Sequence, residues 1–307
     1  MNILLTGGTG FIGAAFLKLA LARGHRVAAL ARAARRADHL FAHENLVWLH
    51  GSLADAPFAH IAAFAPQTCV HAAWIATPVV YLDSPENDNY LCWSLDFLDR
   101  AREAGARHLV VLGTCIEYEI PPSRRELLSE ITTPVAPASR YARAKNALRL
   151  ALESRGERTG DFQLCWARVF YPYGPGEHPD RLCSTLLRRL QAGEKIVLKT
   201  PASTKDYIFI DDLAAALLRV VETEFAGDIN LGTGVGTPVS GIAAQAAALC
   251  GRPELIAAAP ATPSVTDPLG YVVADASRLR ALGWQPAWDF ARGLERLHES
   301  LFAKAVS

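Results

Sequence analysis

The chain has 307 residues, half hydrophobic and a fifth charged, which excludes a disordered polymer and supplies apolar material for a sizeable core. Its 31 basic and 31 acidic residues cancel, so no global field draws it to nucleic acid or to an anionic membrane, and neither is expected as a partner. The six cysteines form no C-x-x-C pair and no zinc-ligand spacing with histidine, so no metal site is expected.

Met1 leads straight into a strand, with no signal peptide, and no apolar run is long enough to cross a bilayer; a cytoplasmic location is expected. In chain order, short β-rich runs alternate with helical segments, the pattern of βαβ units around a parallel sheet. Strands are predicted at Asn2–Leu5, Arg26–Leu30, Leu46–His50, Thr68–His71, His108–Leu112 and Phe162–Arg168. Helices are predicted at about Phe11–Arg23, Leu91–Gly105 and Ser139–Arg155. The strand runs show little polar alternation, as expected of strands covered on both faces. From Tyr171 the texture changes. YPYGPGEHPDR reads as a surface loop, followed by a helix near Leu182–Ala192. KDYIFIDDLAAALLRVV reads as a strand running into a helix, and DINLGTG as another short strand. A helix at Ile242–Cys250 and a final helix complete the chain.

TGGTGFIG spaces Gly7, Gly10 and Gly13 three apart, between the first strand and the first helix. Gly7 permits the tight turn, Gly10 removes a side chain that would keep a pyrophosphate from the backbone, and Gly13 lets the helix pack close to the sheet. The free N–H groups around Thr9, Gly10, Phe11 and Ile12 face the phosphates at the positive end of the helix dipole. At the end of the second strand, where a carboxylate would receive the ribose hydroxyls of NAD, stand Ala31 and Arg32, with Arg35 and Arg36 close behind. A small residue beside guanidinium groups suits a phosphorylated ribose, so NADP(H) is favoured and NAD(H) is the alternative. Ser52 and Leu53 are placed beside the adenine, and Ala72, Ala73 and Trp74 along the middle of the cofactor.

SRYARAKNALR puts Tyr141 and Lys145 four residues apart at a helix start, so both share one face. A free phenol titrates near 10, and a neighbouring ammonium favours its ionised form. Tyr141 then gives a proton to a carbonyl as hydride arrives, or takes one from an alcohol as hydride leaves. Thr114, at the end of VVLGT, offers a second hydrogen bond to the same oxygen.

TGGTGFIG, VHAAW, GTCIEY, YARAK, RVFYPYGPGE and KDYIFIDDLAAAL resemble, in this order and over nearly the whole chain, the extended short-chain dehydrogenase/reductase family. More narrowly they resemble its NAD(P)-dependent nucleotide-sugar epimerase/dehydratase/reductase branch. The resemblance implies an α/β fold, a Rossmann-type doubly wound parallel sheet with a smaller C-terminal substrate lobe. Residues 1–170 would form the dinucleotide-binding domain, with returning segments at about 205–232, and 171–204 and 233–307 the substrate lobe. It implies Thr114, Tyr141 and Lys145 as the catalytic set, Phe170 and Tyr171 beside the nicotinamide, and a homodimer through a four-helix bundle of the Leu91–Gly105 and Ser139–Arg155 helices. Asp206 and Asp211 are implied to be structural, and Asn89 lies near a structural asparagine of the family whose own place falls on Tyr90.

Two departures narrow the chemistry. Sugar dehydratases of the branch carry Asp-Glu after the catalytic hydroxyl, where this chain has Cys115 and Ile116. Epimerising reductases place a cysteine two residues after it and a histidine in the later loop, where Cys115 is one residue after and Arg181 stands at the histidine's place. The expected function is therefore NADPH-dependent reduction of a keto group, at the 4-position, on a nucleotide-linked deoxysugar. The alternatives are a nucleotide-sugar epimerase with retained NAD and a non-catalytic NAD(P)-sensing regulator. Thr77, Tyr81, Cys115, Glu117, Arg181 and Lys205 are expected on the substrate side, the last-named lysine and Arg181 meeting a diphosphate.

Overall fold

The computed structural model describes residues 1–32, 42–257 and 267–303. Seven strands form one parallel sheet: β1 (Asn2–Thr6), β2 (Arg26–Ala31), β3 (Leu46–His50), β4 (Thr68–His71), β5 (His108–Thr114), β6 (Gln163–Val169) and, much later in the chain, β9 (Gly227–Leu231). Their order is β3-β2-β1-β4-β5-β6-β9, so the winding reverses between β1 and β4. In an open α/β sheet a ligand crevice lies at the carboxyl ends of the strands beside that reversal.

Both faces are covered because successive side chains of each strand point to opposite sides. Ile3, Leu5, Val110 and Leu112 meet α1 (Phe11–Ala22) and α6 (Ile210–Glu222) through Phe16, Leu17, Ala216 and Leu217. Leu4, Leu109 and Val111 meet the other layer, in which α2 (Phe58–Phe64), α3 (Glu86–Glu103) and α4 (Arg140–Thr159) contribute Ile61, Phe97, Leu98, Leu148 and Leu152. Among the described residues no helix is long and apolar enough to cross a membrane.

A second, four-stranded sheet is centred on β8 (Thr204–Phe209), which pairs in parallel with β7 (Tyr171–Tyr173) and β11 (Tyr271–Val272) and antiparallel with β10 (Gly236–Pro238). α7 (Val239–Leu249) and α9 (Phe290–Phe302) pack on it, with α5 (Leu182–Gln191) against both, while α8 (Ser277–Ala281) packs on β9 of the large sheet. Asp206 is buried in this region and accepts hydrogen bonds from the Thr233, Gly234 and Ala274 amides, a structural role of the expected kind.

The predicted strands are present, with β5 extended to Thr114, so the hydroxyl ends the strand itself. α3 begins five residues before the predicted Leu91, and α4 runs on to Thr159. Sequence pattern alone does not reveal α2 or the short strands β7, β10 and β11.

Gly7 adopts φ +72°, and a Cβ there would stand 2.8 Å from the Ala72 carbonyl carbon. A Cβ on Gly13 would come within 2.1 Å of the Gly7 carbonyl oxygen. Gly13→Ala is therefore expected to push α1 off the strand ends, lowering stability by about 1–3 kcal/mol and weakening nicotinamide-nucleotide binding at least tenfold. Urea denaturation and titration of NAD+ and NADP+ check both; wild-type affinity for both nucleotides would show that this contact does not set the turn.

Candidate active site

The glycine-rich turn and the start of α1 form the first wall. Gly10 is the α1 N-cap without a side-chain cap, and a Cβ on it would meet only the Gly7 carbonyl oxygen, at 3.2 Å. The backbone therefore stands open where a pyrophosphate would approach, flanked by partly exposed Thr9, Phe11 and Ile12. This cradle fits a dinucleotide. Arg32, exposed at the end of β2, borders the same edge of the sheet. Arg35 and Arg36 lie outside the described residues.

The end of β4 is tied to this turn. The Thr6 hydroxyl accepts a hydrogen bond from the Ala73 amide at 3.1 Å and lies 3.0 Å from Nδ1 of His71, whose Nε2 is 2.9 Å from the Ser94 hydroxyl. Burial, and then Lys145, push His71 down to about 3, so it stays neutral across the working range. Ala72 packs beside Gly7, and Trp74 reaches across to Lys145 on α4. Ser52 gives both its amide and its hydroxyl to Asp55, and Leu53 is buried in the α2–α4 layer. Neither presents a free polar group where the adenine was expected.

Ser139 caps α4 by accepting the Ala142 amide at 3.1 Å, and the Tyr141 amide donates to the Leu82 carbonyl at 2.9 Å. These bonds fix the first turn, and Lys145 follows one turn later on the same face. The structure brings the three expected catalytic residues together. The Thr114 hydroxyl favours the ionised form of the Tyr141 phenol, and Lys145 Nζ is 6.0 Å from the Tyr141 ring centre.

The electrostatics differ from expectation. Lys145 Nζ lies 3.9 Å above the Trp74 ring and donates to the Leu112 carbonyl at 2.8 Å, so its ammonium is directed to the end of β5. Burial pushes Lys145 down to about 7, and the Glu117 carboxylate resists this. Burial first, then Tyr81, Glu117 and Cys115, hold the Tyr141 phenol well above its ordinary range against the Thr114 hydrogen bond. Without cofactor, the lysine does not lower the phenol. The desolvation of both groups outweighs their attraction.

Tyr81 packs edge-on against Tyr141, with ring centres 4.9 Å apart, and Arg181, at the N-terminus of α5, reaches to 5.9 Å from the Tyr81 ring centre. These two expected substrate residues thus meet beside Tyr141. Thr77 is exposed in the loop before Tyr81. Lys205 is held by Asp267 at 2.9 Å, by Ser203 and by the Leu269 carbonyl, with its Nζ 5.9 Å from the Tyr171 ring. Tyr171 faces Tyr207 at 5.7 Å.

Three placements correct the sequence reading. Glu117 is fully buried and paired with Arg168, because the turn after β5 folds its side chain back beneath Thr114; it does not face substrate. Cys115 and Phe170 pack with Tyr118, Leu128, Val272 and Ala274, and burial pushes the thiol up to about 12. The buried asparagine is Asn87. It accepts from Trp74 Nε1 at 2.8 Å and donates to the Tyr81 carbonyl at 2.7 Å, whereas Asn89 is exposed and Tyr90 stacks on Trp74.

Asn87, His71 and Tyr207 escape sequence reasoning. An asparagine in the first turn of a helix is a frequent surface residue, so Asn87 carries no local signal. His71, inside an apolar strand, is legible as an oddity: a buried imidazole requires partners. Among the described residues no cluster of His, Cys, Asp and Glu could hold a metal ion.

The model of the NAD dependent epimerase/dehydratase family matches residues 3–232. The UDP-glucose 4-epimerase of Mycolicibacterium smegmatis is 28% identical over 319 residues, spanning 97% of this chain and 98% of that one. The dTDP-6-deoxy-L-talose 4-dehydrogenase (NAD(+)) of Aggregatibacter actinomycetemcomitans is 26% identical over 76% of this chain and 85% of its own. The crystal structure of the Thermus thermophilus UDP-glucose 4-epimerase in complex with NAD matches with a TM-score of 0.82 and 27% identity, covering 100% of both chains.

The buried lysine has a measurable consequence. Its folded pKa of about 7 lies below the unfolded value of about 10.4, so between the two the unfolded chain holds a proton that the folded one lacks. Stability contributed by this residue must rise with pH through that window. The cofactor-free protein is expected to gain about 2 kcal/mol relative to Lys145→Met between pH 7 and pH 9, read from urea denaturation at the two pH values. A pH-independent difference would show that Lys145 is not desolvated.

Proposed function

The chain belongs to the NAD-dependent epimerase/dehydratase family, and we propose that it interconverts an alcohol and a ketone on the sugar ring of a nucleotide-linked sugar, as an epimerase with retained NAD. What carries the reading is the assembly of Thr114, Tyr141 and Lys145 at the crevice of a fold that matches an NAD-bound epimerase end to end. A bound nicotinamide would accept hydride and return it.

The chain's own residues do the rest. Tyr141 exchanges the hydroxyl proton of the substrate, and Thr114 holds the same oxygen by a second hydrogen bond. With the cofactor bound, Lys145 would hold its ribose and tune the phenol. Arg181, beside Tyr81, is the cation proposed to meet the diphosphate, because Lys205 already gives its three donors to Asp267, Ser203 and the Leu269 carbonyl. Elimination of water needs a further acid and base next to Thr114. A packed Cys115 with a raised thiol pKa and an apolar Ile116 do not supply them.

A second reading, NADPH-dependent reduction of a 4-keto group on a nucleotide-linked deoxysugar, is favoured by one observation: β2 ends at Ala31, followed by exposed Arg32, and neither of these described residues is a carboxylate for ribose hydroxyls. Against it, NAD is the cofactor named for both the related dehydrogenase and the solved epimerase. A second copy is proposed to dock on α3 and α4, whose outer cleft is lined by Leu91, Arg140, Arg143, Ala144 and Ala147, with Leu150 half-exposed nearby.

Two measurements separate the readings. Protein released from its cofactor by acid and analysed by chromatography is expected to yield NAD; nucleotide-free protein that oxidises NADPH against nucleotide-linked keto sugars, and loses that preference in Arg32→Ala, would establish the reductase instead. In either case Tyr141→Phe should lower turnover by at least about 100-fold while keeping the cofactor affinity within threefold. Unchanged turnover would remove Tyr141 from the mechanism.

A further inference from the structure

Glu117 is wholly buried, three residues after Thr114, and every partner it has is a donor. One carboxylate oxygen accepts the Thr114 amide at 2.8 Å. The other accepts Trp166 Nε1 at 2.9 Å and Arg168 Nε at 3.0 Å. An acceptor-only role for both oxygens requires the ionised carboxylate. Burial pushes its pKa up, and Arg168 with the three donors pulls it back. Arg168 is itself buried and anchored by Asp228 at 2.7 Å on β9. The packing is tight: a Cβ on Gly113 would stand 2.3 Å from Trp166 Nε1 and 2.9 Å from a Glu117 carboxylate oxygen.

A buried ion pair is expensive to assemble and is seldom the cheapest way to fill a core, so its location calls for a reason. Here it lies under the end of β5, where the two neighbouring backbone groups meet the catalytic set. Glu117 holds the Thr114 amide, and the Leu112 carbonyl holds the Lys145 ammonium. The charged and titratable groups around Lys145 are Glu117 from the turn after β5, Tyr141 on its own helix and His71 from β4, which is neutral. Glu117 is thus the anion that acts on the lysine.

We propose that Glu117 is a positioning residue of this site: clamped by Arg168 and Trp166, its carboxylate fixes the backbone of Thr114 and provides the buried counter-charge for the ammonium of Lys145. The carboxylate touches neither substrate nor cofactor. It acts through the two residues that do, and it sets how much of Lys145 is charged when the cofactor arrives. The inference rests on the catalytic reading of Thr114, Tyr141 and Lys145, but its test needs neither turnover nor a known substrate.

The chain has six lysines, few enough for carbon-13 lysine labelling to resolve the titration of Lys145, assigned by its loss in Lys145→Arg. In the cofactor-free protein the wild-type midpoint is expected near 7. Glu117→Gln removes the charge and should lower the midpoint by at least half a pH unit; a midpoint within about 0.2 unit of wild type would overturn the proposal. If the single variant does not fold, Glu117→Gln combined with Arg168→Gln removes both charges of the buried pair, leaves the partly exposed Asp228 to Arg149 at 3.9 Å, and carries the same two outcomes. Glu117→Asp keeps the charge but is one methylene too short to hold the Thr114 amide. It should restore the lysine midpoint while speeding hydrogen exchange at the Thr114 amide about tenfold; wild-type protection at that amide would overturn the positioning half. Failure of turnover assays with nucleotide-linked sugars would bear on the substrate and leave these readouts untouched.

Discussion

The contact between the Gly13 backbone and the Gly7 carbonyl is the constraint on which the site depends. With no room for a methyl group at either glycine, α1 starts directly over the carboxyl ends of β1 and β4. Its uncapped N–H groups and dipole therefore open onto the crevice created by the reversal of strand order. The Thr6–Ala73 hydrogen bond and the Thr6–His71–Ser94 chain then lock the end of β4 to the same turn. Trp74 follows from this lock, and the Asn87 side chain holds it over Lys145. The cofactor wall and the catalytic wall are thus one connected structure rather than two.

Desolvation governs the catalytic wall. Moving a lysine and a tyrosine out of water raises the cost of each charged form, and the shifts run in opposite directions: lysine down, phenol up. In the cofactor-free site both groups therefore lean to neutrality, and the ammonium–phenolate arrangement that the chemistry uses is not stored in advance. On the proposed mechanism a positive nicotinamide would favour the phenolate, and proton readiness would then be coupled to cofactor occupancy. The Trp74 face and the Leu112 carbonyl meanwhile hold Lys145 in place without neutralising it.

Elements with a strong period and a punctuating residue are legible in the sequence. The apolar runs of β1, β4 and β5, the glycine spacing before α1 and the Tyr141–Lys145 pair on α4 all stand where the pattern puts them. The seven-residue α2 and the two- and three-residue strands are not, because such short pieces have no period of their own and exist by pairing with β8 or packing on the sheet. At the site, Tyr141 and Lys145 are legible because their spacing is local, and Thr114 because it closes an apolar strand. The orientation of Glu117 is not, since it is decided by Trp166 and Arg168, about fifty residues later in the chain. Arg32 shows the same limit: its exposure at the end of β2 is visible, but the ligand that it meets is not written in its neighbours.

The turn after β5 also restricts what reactions the fold can host. Cys115–Glu117 is a single 3-10 turn, in which residues three apart eclipse one another. Glu117 is therefore carried back under Thr114, where its carboxylate closes a capping box with the Thr114 amide. Cys115 is turned into the cluster of Phe170 and Val272, and Ile116 packs at the edge of that same cluster. None of the three residues presents an ionisable group beside the substrate oxygen. Chemistry that needs only one proton exchanged there can run on Tyr141, and chemistry that needs a second acid–base pair at the neighbouring carbon would have to find it on the far side of the cleft. There the cations Arg181 and Lys205 stand against Tyr81 and Tyr171. Burial lowers the pKa of Lys205, and the Asp267 carboxylate resists this. With the Ser203 hydroxyl and the Leu269 carbonyl also on its ammonium, all three of its donors are engaged within the protein and its charge is balanced by Asp267, so Arg181 is the cation left to meet an anion.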